Sequence, residues 1–364
     1  MRRTRSTIAP ALLFLLAALA SPVAAEVSRT LRIEIPATVE RFAIENLAGT
    51  LRVAPGSGDS VVAIATIHAE NDELASAVRF ERVTGGDSPE MFRVRYPLDQ
   101  VSTIRYPGMG GSHSGWWSWL GGSSTYTSYD GHKVKVSGTS GSLVYADIEV
   151  QVPRRDVRGT FRNLVGRIDA NEIKGTLAFE SGSGRVELTR LEGTVKAETG
   201  SGDIEATDLK GDYSCETGSG DCIVRGFHGE LVKCEAGSGT LRIESPIAKR
   251  VSAETGSGDV HVSDADIEAF DGETGSGDID LAIRGNRFTK LRAEAGSGDV
   301  TVRLPRDASF EAIADQGSGD ITSRFQDATP ILKDKVLVGY RRGDARTRID
   351  VSTGSGDLLL EPVN

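Results

Sequence analysis

This sequence predicts an all-β fold: a parallel, β-helix-like β-solenoid of about 18–21-residue coils, right-handed by the usual preference of parallel connections, with an N-terminal β cap. Three observations predict it. The first is a recurring phrase, Glu198-Thr199-Gly200-Ser201-Gly202-Asp203-Ile204, which returns from Glu216 to Cys222, from Glu254 to Val260 and from Glu273 to Ile279. Looser copies carry Gly-Ser-Gly from Gly182, Gly237, Gly296, Gly317 and Gly354, and the steps between first glycines are 18, 18, 19, 19, 19, 21, 21 and 37 residues. The last step is about two periods with one signature missing, and a period near 20 marks stacked repeats. The second observation is alternation on both sides of the glycines. Val195 and Ala197 precede one turn and Ile204 and Ala206 follow it, with Lys196, Glu198, Asp203 and Glu205 between them. Period two is the signature of a strand with one buried face. The third is composition: 43 Gly, 6% aromatic and 38% hydrophobic residues describe a thin core in a long chain.

A single repeat cannot stay folded alone. Ordering about 18 residues costs roughly 1–2 kcal/mol each, and a few inward side chains, many of them Ala, return about 1.5–3 kcal/mol apiece at best. Stacking supplies inter-repeat hydrogen bonds and a continuous apolar column. The glycines suit a corner that needs either positive φ or close backbone approach. Thr199, Thr217, Thr255 and Thr274 have inward parity, which brings their hydroxyls to corner backbone groups.

Taken in order, residues 1–25 read as a secretory signal peptide. Arg2, Arg3 and Arg5 form the basic part, Ile8 to Ala20 the apolar part, and Val23-Ala24-Ala25 the small-residue cleavage site before Glu26. The apolar run falls short of the roughly 20 residues a span needs, so no transmembrane anchor is expected after cleavage. Processing removes three Arg and leaves 39 basic against 52 acidic residues, a formal net charge of −13. Nucleic acid is not an expected partner, since it demands a basic footprint. The expected location is exported: periplasm, cell surface or extracellular.

Residues 26–157 form the expected N-terminal β region and 158–364 the repeats. Leu31, Ile33 and Ile35 alternate, and Asn46-Leu47-Ala48-Gly49 and Asn163-Leu164-Val165-Gly166 read as degenerate corners with Asn in the Thr position. Val61–Thr66 and Met91–Tyr96 read as strands of a cap, expected because a bare terminal coil is an unpaired edge. Residues 98–142 interrupt the pattern as an insertion rich in Gly, Ser and Tyr. Trp116, Trp117 and Trp119, with Tyr126 and Tyr129, make it a candidate ligand-binding surface, the plainer alternative being that they cover one flank of the repeats. Val336–Tyr340 and Thr347–Val351 flank Arg341-Arg342-Gly343-Asp344 and read as a hairpin.

Chemistry is sparse. Asp203, Asp221, Asp259, Asp278 and Asp299 form a column at about 4.8 Å spacing, where like charges repel by roughly 0.9 kcal/mol in water. Calcium would relieve that, and these residues are the candidate metal ligands. The plainer reading is solvated carboxylates accepting turn N–H groups. A parallel column runs Glu180, Glu198, Glu216, Glu235, Glu254, Glu273 and Glu294. Cys215, Cys222 and Cys234 all have inward parity, open to a disulfide with one thiol left over or to three plain core residues. No spacing of His68, His113, His132, His228 and His261 suggests a triad.

The exported N-terminus, the opening Asn46-Leu47-Ala48-Gly49 corner, the Val152-Pro153 step and the serial Thr-Gly-Ser-Gly-Asp turns together resemble the bacterial putative-adhesin β-strand-repeat family, over Val39 to Leu360 apart from residues 98–142. The resemblance implies a parallel β-solenoid on or outside the inner membrane, of uncharacterised function and with no catalytic residues to carry over. The expected function is a non-enzymatic, structural or adhesive role in the cell envelope, with an envelope glycan or protein surface as partner and no cofactor. The alternatives are a carbohydrate-active β-helix enzyme and a calcium-stabilised Gly/Asp-rich module.

Overall fold

The computed structural model describes residues 26–83, 89–109 and 124–363. The expected signal peptide lies outside the described residues. Each repeat contributes one strand to each of two long sheets, with the Gly-Ser-Gly corner between them. In the first sheet Val186–Thr189, Ile204–Thr207, Cys222–Arg225 and Leu241–Glu244 lie side by side, parallel and in register. In the second, Lys174–Ser183, Glu192–Thr199, Lys210–Thr217, His228–Ala236 and Ile247–Thr255 do the same. Val260–Thr274 runs through without a break and serves both sheets. Inward residues of the two sheets share one buried cluster, in which Ile204, Cys222, Leu241, Val260, Ile279 and Val300 stand in adjoining rungs.

The predicted uninterrupted parallel β-solenoid is not what forms. Antiparallel pairs enter at the N-terminal end of the first sheet and at both ends of the second. Val61–Ala69 runs antiparallel to Val27–Ile35 and to Ser142–Val152, and Arg79–Val83 antiparallel to Glu90–Arg95. Val336–Arg342 runs antiparallel to Phe310–Gln316 and to Thr329–Lys333. Strand order also departs from chain order. Phe42–Ala48 lies between Glu90–Arg95 and Val157–Val165. Thr347–Thr353 lies between Lys290–Ala295 and Phe310–Gln316, and Leu358–Pro362 between Val300–Leu304 and Ile321–Ser323. The physical reason is that alternation reports which face of a strand is buried and carries nothing about its direction or neighbour.

The predicted N-terminal cap is corrected in the same way: 61–69 and 90–95 are rungs of the sheets. The hairpin expected between 336–340 and 347–351 is also absent. The hairpin that exists joins Thr329–Lys333 to Val336–Arg342 through Asp334 and Lys335, both at positive φ. A short helix, Asp72–Ala77, was not anticipated; the Asn71 side chain caps it by accepting the Leu74 N–H at 2.9 Å.

In the Gly-Ser-Gly corners close approach is the reason that holds, while the degenerate corners at Gly49 and Gly166 also take positive φ. A Cβ at Gly220 would sit 2.0 Å from the Gly202 carbonyl oxygen of the repeat before it, and φ there is not positive. Positive φ occurs at the opposite turn, in the column Gly175, Gly193 and Gly211.

The threonines behave as their parity requires. Thr217 Oγ1 donates to the Gly202 carbonyl at 3.0 Å and accepts the Gly220 N–H at 3.0 Å. Thr199, Thr255 and Thr274 repeat both bonds. Thr217→Val keeps the shape and deletes both. It is expected to lose about 1–3 kcal/mol in urea unfolding, because the Gly220 N–H and Gly202 carbonyl lose a partner; a loss under about 0.5 kcal/mol would show that these bonds contribute little.

Candidate functional site

The aspartate column forms where the chain leaves the second corner glycine and enters the first sheet. Each carboxylate accepts the backbone N–H of the equivalent residue one rung on. Asp203 Oδ1 takes the Asp221 N–H at 3.1 Å, Asp221 that of Thr240 at 2.8 Å, Asp259 that of Asp278 at 3.0 Å, and Asp278 that of Asp299 at 2.9 Å. Asp299 and Asp357 continue the series. One oxygen of each carboxylate is therefore committed to its neighbour's backbone, which offsets the repulsion along the column. Hard cations need six to eight oxygens converging on one point, whereas these point along a ladder. Millimolar calcium, or a chelator, is expected to move the melting temperature by less than about 1 °C, since a ligand stabilises only by its affinity for the folded state. A calcium-dependent rise of several degrees would reinstate the metal reading.

Arg185 stands in the same column and ion-pairs with Glu187 at 2.8 Å and with Glu205. His68 is held between Glu26 at 2.5 Å and Asp147 at 3.3 Å and stacks on Tyr145, which is ion-pair geometry with no nucleophile among these partners.

The aromatic candidates separate. Trp116, Trp117 and Trp119 lie outside the described residues. Tyr126, on the strand Ser124–Tyr129, is 63% exposed, with the Lys133 and Lys135 ammonium groups 5.3 and 5.9 Å from its ring centroid. Tyr129 is buried, and its hydroxyl donates to the Val94 carbonyl at 2.7 Å. Burial, followed by the charges of Tyr96 and Glu45, pushes its phenol well above the ordinary range. It is a packing residue. Its outward neighbour Tyr126 is the exposed ring of the two.

Sequence reasoning noted the glutamate column without assigning it a site. The structure sets Glu180, Glu198, Glu216, Glu235, Glu254 and Glu273 along a groove of about 910 Å³ floored by first-corner glycines such as Gly200, Gly218 and Gly237. Cations compensate part of it. Arg162 pairs with Glu180 at 2.7 Å and Glu45 at 3.4 Å, while Lys196 and Lys233 pair with Glu198 and Glu235. The hydrogen bond to Glu198 outweighs partial burial and raises the Lys196 ammonium pKa. Periodicity foretold the column. The groove depends on how far the corner recedes behind it, which no sequence pattern states.

The three cysteines converge. Cys215 and Cys222 form a disulfide that ties the second sheet to the first across the corner. Cys234, the register partner of Cys215, is a buried free thiol with its sulfur 3.7 Å from Cys222 Sγ. Among the described residues this is the one cluster of three potential metal-ligand side chains within reach of one another.

Three solved structures share low identity and high coverage with this chain. One, described as a "putative cell adhesion protein" from Clostridium sporogenes ATCC 15579, is 11% identical over 93% of this chain and 100% of its own, with a TM-score of 0.18. Another, a "putative lipid binding protein" from Parabacteroides distasonis ATCC 8503, is 14% identical over 93% and 97%, with a TM-score of 0.40. A third, a "putative adhesin" from the same organism, is 10% identical over 94% and 98%, with a TM-score of 0.35. No curated protein matches the chain.

Residues 148–361 match the family model described as Toastrack DUF4097. That fold stacks mixed parallel and antiparallel sheets and is distinct from a parallel β-solenoid or β-helix, which completes the correction made above from strand pairing. The uncharacterised bacterial β-repeat family that the repeats resemble is borne out. Toastrack DUF4097 domains are structural or regulatory modules without catalysis, consistent with a non-enzymatic protein. The match takes in more than half of the sequence, and the protein belongs to the Toastrack DUF4097 family.

Proposed function

We propose that this chain is an exported, non-enzymatic β scaffold of the bacterial cell envelope that holds a binding surface for an envelope glycan or protein. The observation that carries the export half is the Cys215–Cys222 disulfide inside the core. Disulfides persist in oxidising compartments and are rare in the reducing cytosol. The basic, apolar and small-residue order of residues 1–25 supports the same location. The binding half rests on the exposed Tyr126 ring beside the Trp116, Trp117 and Trp119 sequence, since aromatic side chains concentrate binding energy at recognition surfaces.

Fractionation of the native host tests the first half. The expected product begins at Glu26, lies outside the cytoplasm and carries one alkylatable thiol; a cytoplasmic chain beginning at Met1 with three free thiols would overturn it. For the second half, Trp116, Trp117 and Trp119 changed together to Ala should abolish binding to isolated envelopes and leave the melting temperature unchanged. Full binding by that variant would remove the aromatic segment as the binding surface.

A further inference from the structure

The buried cysteines contain more sulfur than one disulfide uses, and the surplus is placed against the bond. Cys234 Sγ lies 3.7 Å from Cys222 Sγ, which is van der Waals contact between a free thiol and one atom of a disulfide. Cys215 and Cys234 are register partners on adjoining strands of the second sheet, and Cys222 faces them from the first. Cys222 is therefore a hub within reach of two equivalent partners. We propose that the three cysteines form a thiol–disulfide exchange site, in which Cys222 bonds alternately to Cys215 within its own repeat and to Cys234 in the next.

The exchange needs no external reagent. Cys234, as thiolate, attacks Cys222 Sγ, and the Cys222–Cys234 bond forms as the Cys215–Cys222 bond breaks. The electron pair leaves on Cys215 Sγ, which takes up the proton that Cys234 released. No net oxidation or reduction occurs. One bridge between the sheets exists before and after. In the first state it closes a single repeat on itself, and in the second it staples two successive repeats together.

The surroundings agree with a slow, closed site. Burial, with a smaller contribution from Glu235, pushes the Cys234 thiol far up, so thiolate is scarce until the core opens locally or the pH rises. Tyr213 shares this part of the core. It is fully buried, its hydroxyl has no hydrogen-bond partner among the described residues, and Cys234 is the charge that weighs on its ionisation after burial. A buried hydroxyl without a partner is a donor that the Cys234 thiolate can use before it attacks.

The test follows the free thiol. Purified full chain, never exposed to reductant, is held near pH 9 without added thiol, quenched in acid, alkylated in denaturant and mapped by mass spectrometry. The label should spread from Cys234 to Cys215 until at least about one chain in five carries it on Cys215, at a rate independent of protein concentration. Label confined to Cys234 after a day overturns the proposal, and so does spread that accelerates with concentration, which marks exchange between chains. Oxidised Cys215→Ala should contain a Cys222–Cys234 disulfide, and Cys222→Ala should retain two alkylatable thiols. A Cys215→Ala chain that folds with both thiols free counts against the hub. If either variant fails to fold, the label distribution in the unmodified chain still decides.

Discussion

Gly239→Ala is expected to lose at least about 4 kcal/mol and to lower the melting temperature by roughly 10 °C or more. The added Cβ would lie 1.7 Å from the Gly220 carbonyl oxygen and 2.5 Å from its carbon, and both are backbone atoms of the preceding repeat that no rotamer change can move. Relief requires the two repeats to part at the corner. That strains the Cys222 N–H bond to the Thr240 carbonyl and the Thr255 hydroxyl bond to the Gly239 carbonyl on either side. Gly58→Ala is the matched control: nothing lies within 4 Å of its built Cβ, and its effect should stay within about 0.5 kcal/mol. Equal losses at both positions would show that close approach does not set the need for glycine at Gly239, since backbone entropy by itself favours Ala.

Asn46→Ala should cost about 3–5 kcal/mol in urea unfolding. The Asn46 amide is fully buried and donates to the Ala146 carbonyl at 2.8 Å, the Ala48 carbonyl at 3.1 Å and the Asn163 side-chain oxygen at 3.1 Å. Its own oxygen accepts the Tyr96 hydroxyl at 2.8 Å. Truncation leaves several buried polar groups short of a partner at once, and each such group costs about 1–3 kcal/mol. A loss near 1 kcal/mol would mean that water enters the vacated space and satisfies them. The companion Asn163 donates to the Gly49 carbonyl at 2.7 Å, the bond that Thr199, Thr217, Thr255 and Thr274 make to the second corner glycine of the repeat before. Asn46 and Asn163 are thus the longer-armed form of the same corner device.

That device was legible in the sequence. The Thr and Asn positions, the corner glycines and the inward parity of Ile204, Val260 and Ile279 all follow from local rules repeated many times, and repetition makes a weak rule readable. The aspartates read as acceptors for turn amides, but the amide each one takes belongs to the equivalent residue one rung on, a partner that only the stacking supplies.

What failed to read was everything that depends on which strand lies next to which. Val61–Ala69 has the same alternation whether it covers an open end or runs antiparallel between Val27–Ile35 and Ser142–Val152. Phe310–Gln316 gives no hint that its partner is Thr347–Thr353, beyond the intervening hairpin. Tyr129 looked like part of an exposed aromatic group because it neighbours Tyr126 in the chain. Three residues apart on one strand, the two face opposite sides, and the alternation of Ser124–Tyr129 puts Tyr129 on the inward parity. The Asp72–Ala77 helix carried its Asn71 cap in plain view, but six residues are too few for a helical period to stand out among strands.

The placement of residues 347–362 inside the stack has a consequence for biogenesis. They leave the ribosome after 310–323, yet their berth lies inboard of that earlier segment. Translation at about 5–20 residues per second leaves the earlier segment waiting roughly 2–7 s for the latecomer, whereas strand pairing takes on the order of microseconds. Ala312 and Ala314 repeat the apolar spacing of Ile349 and Val351, which suits them to the vacant edge of Lys290–Ala295 in the meantime. Maturation therefore turns on reversibility at this end: the provisional occupant has to let go before the rightful one can be seated, and holding the chain unfolded until secretion is finished removes the contest.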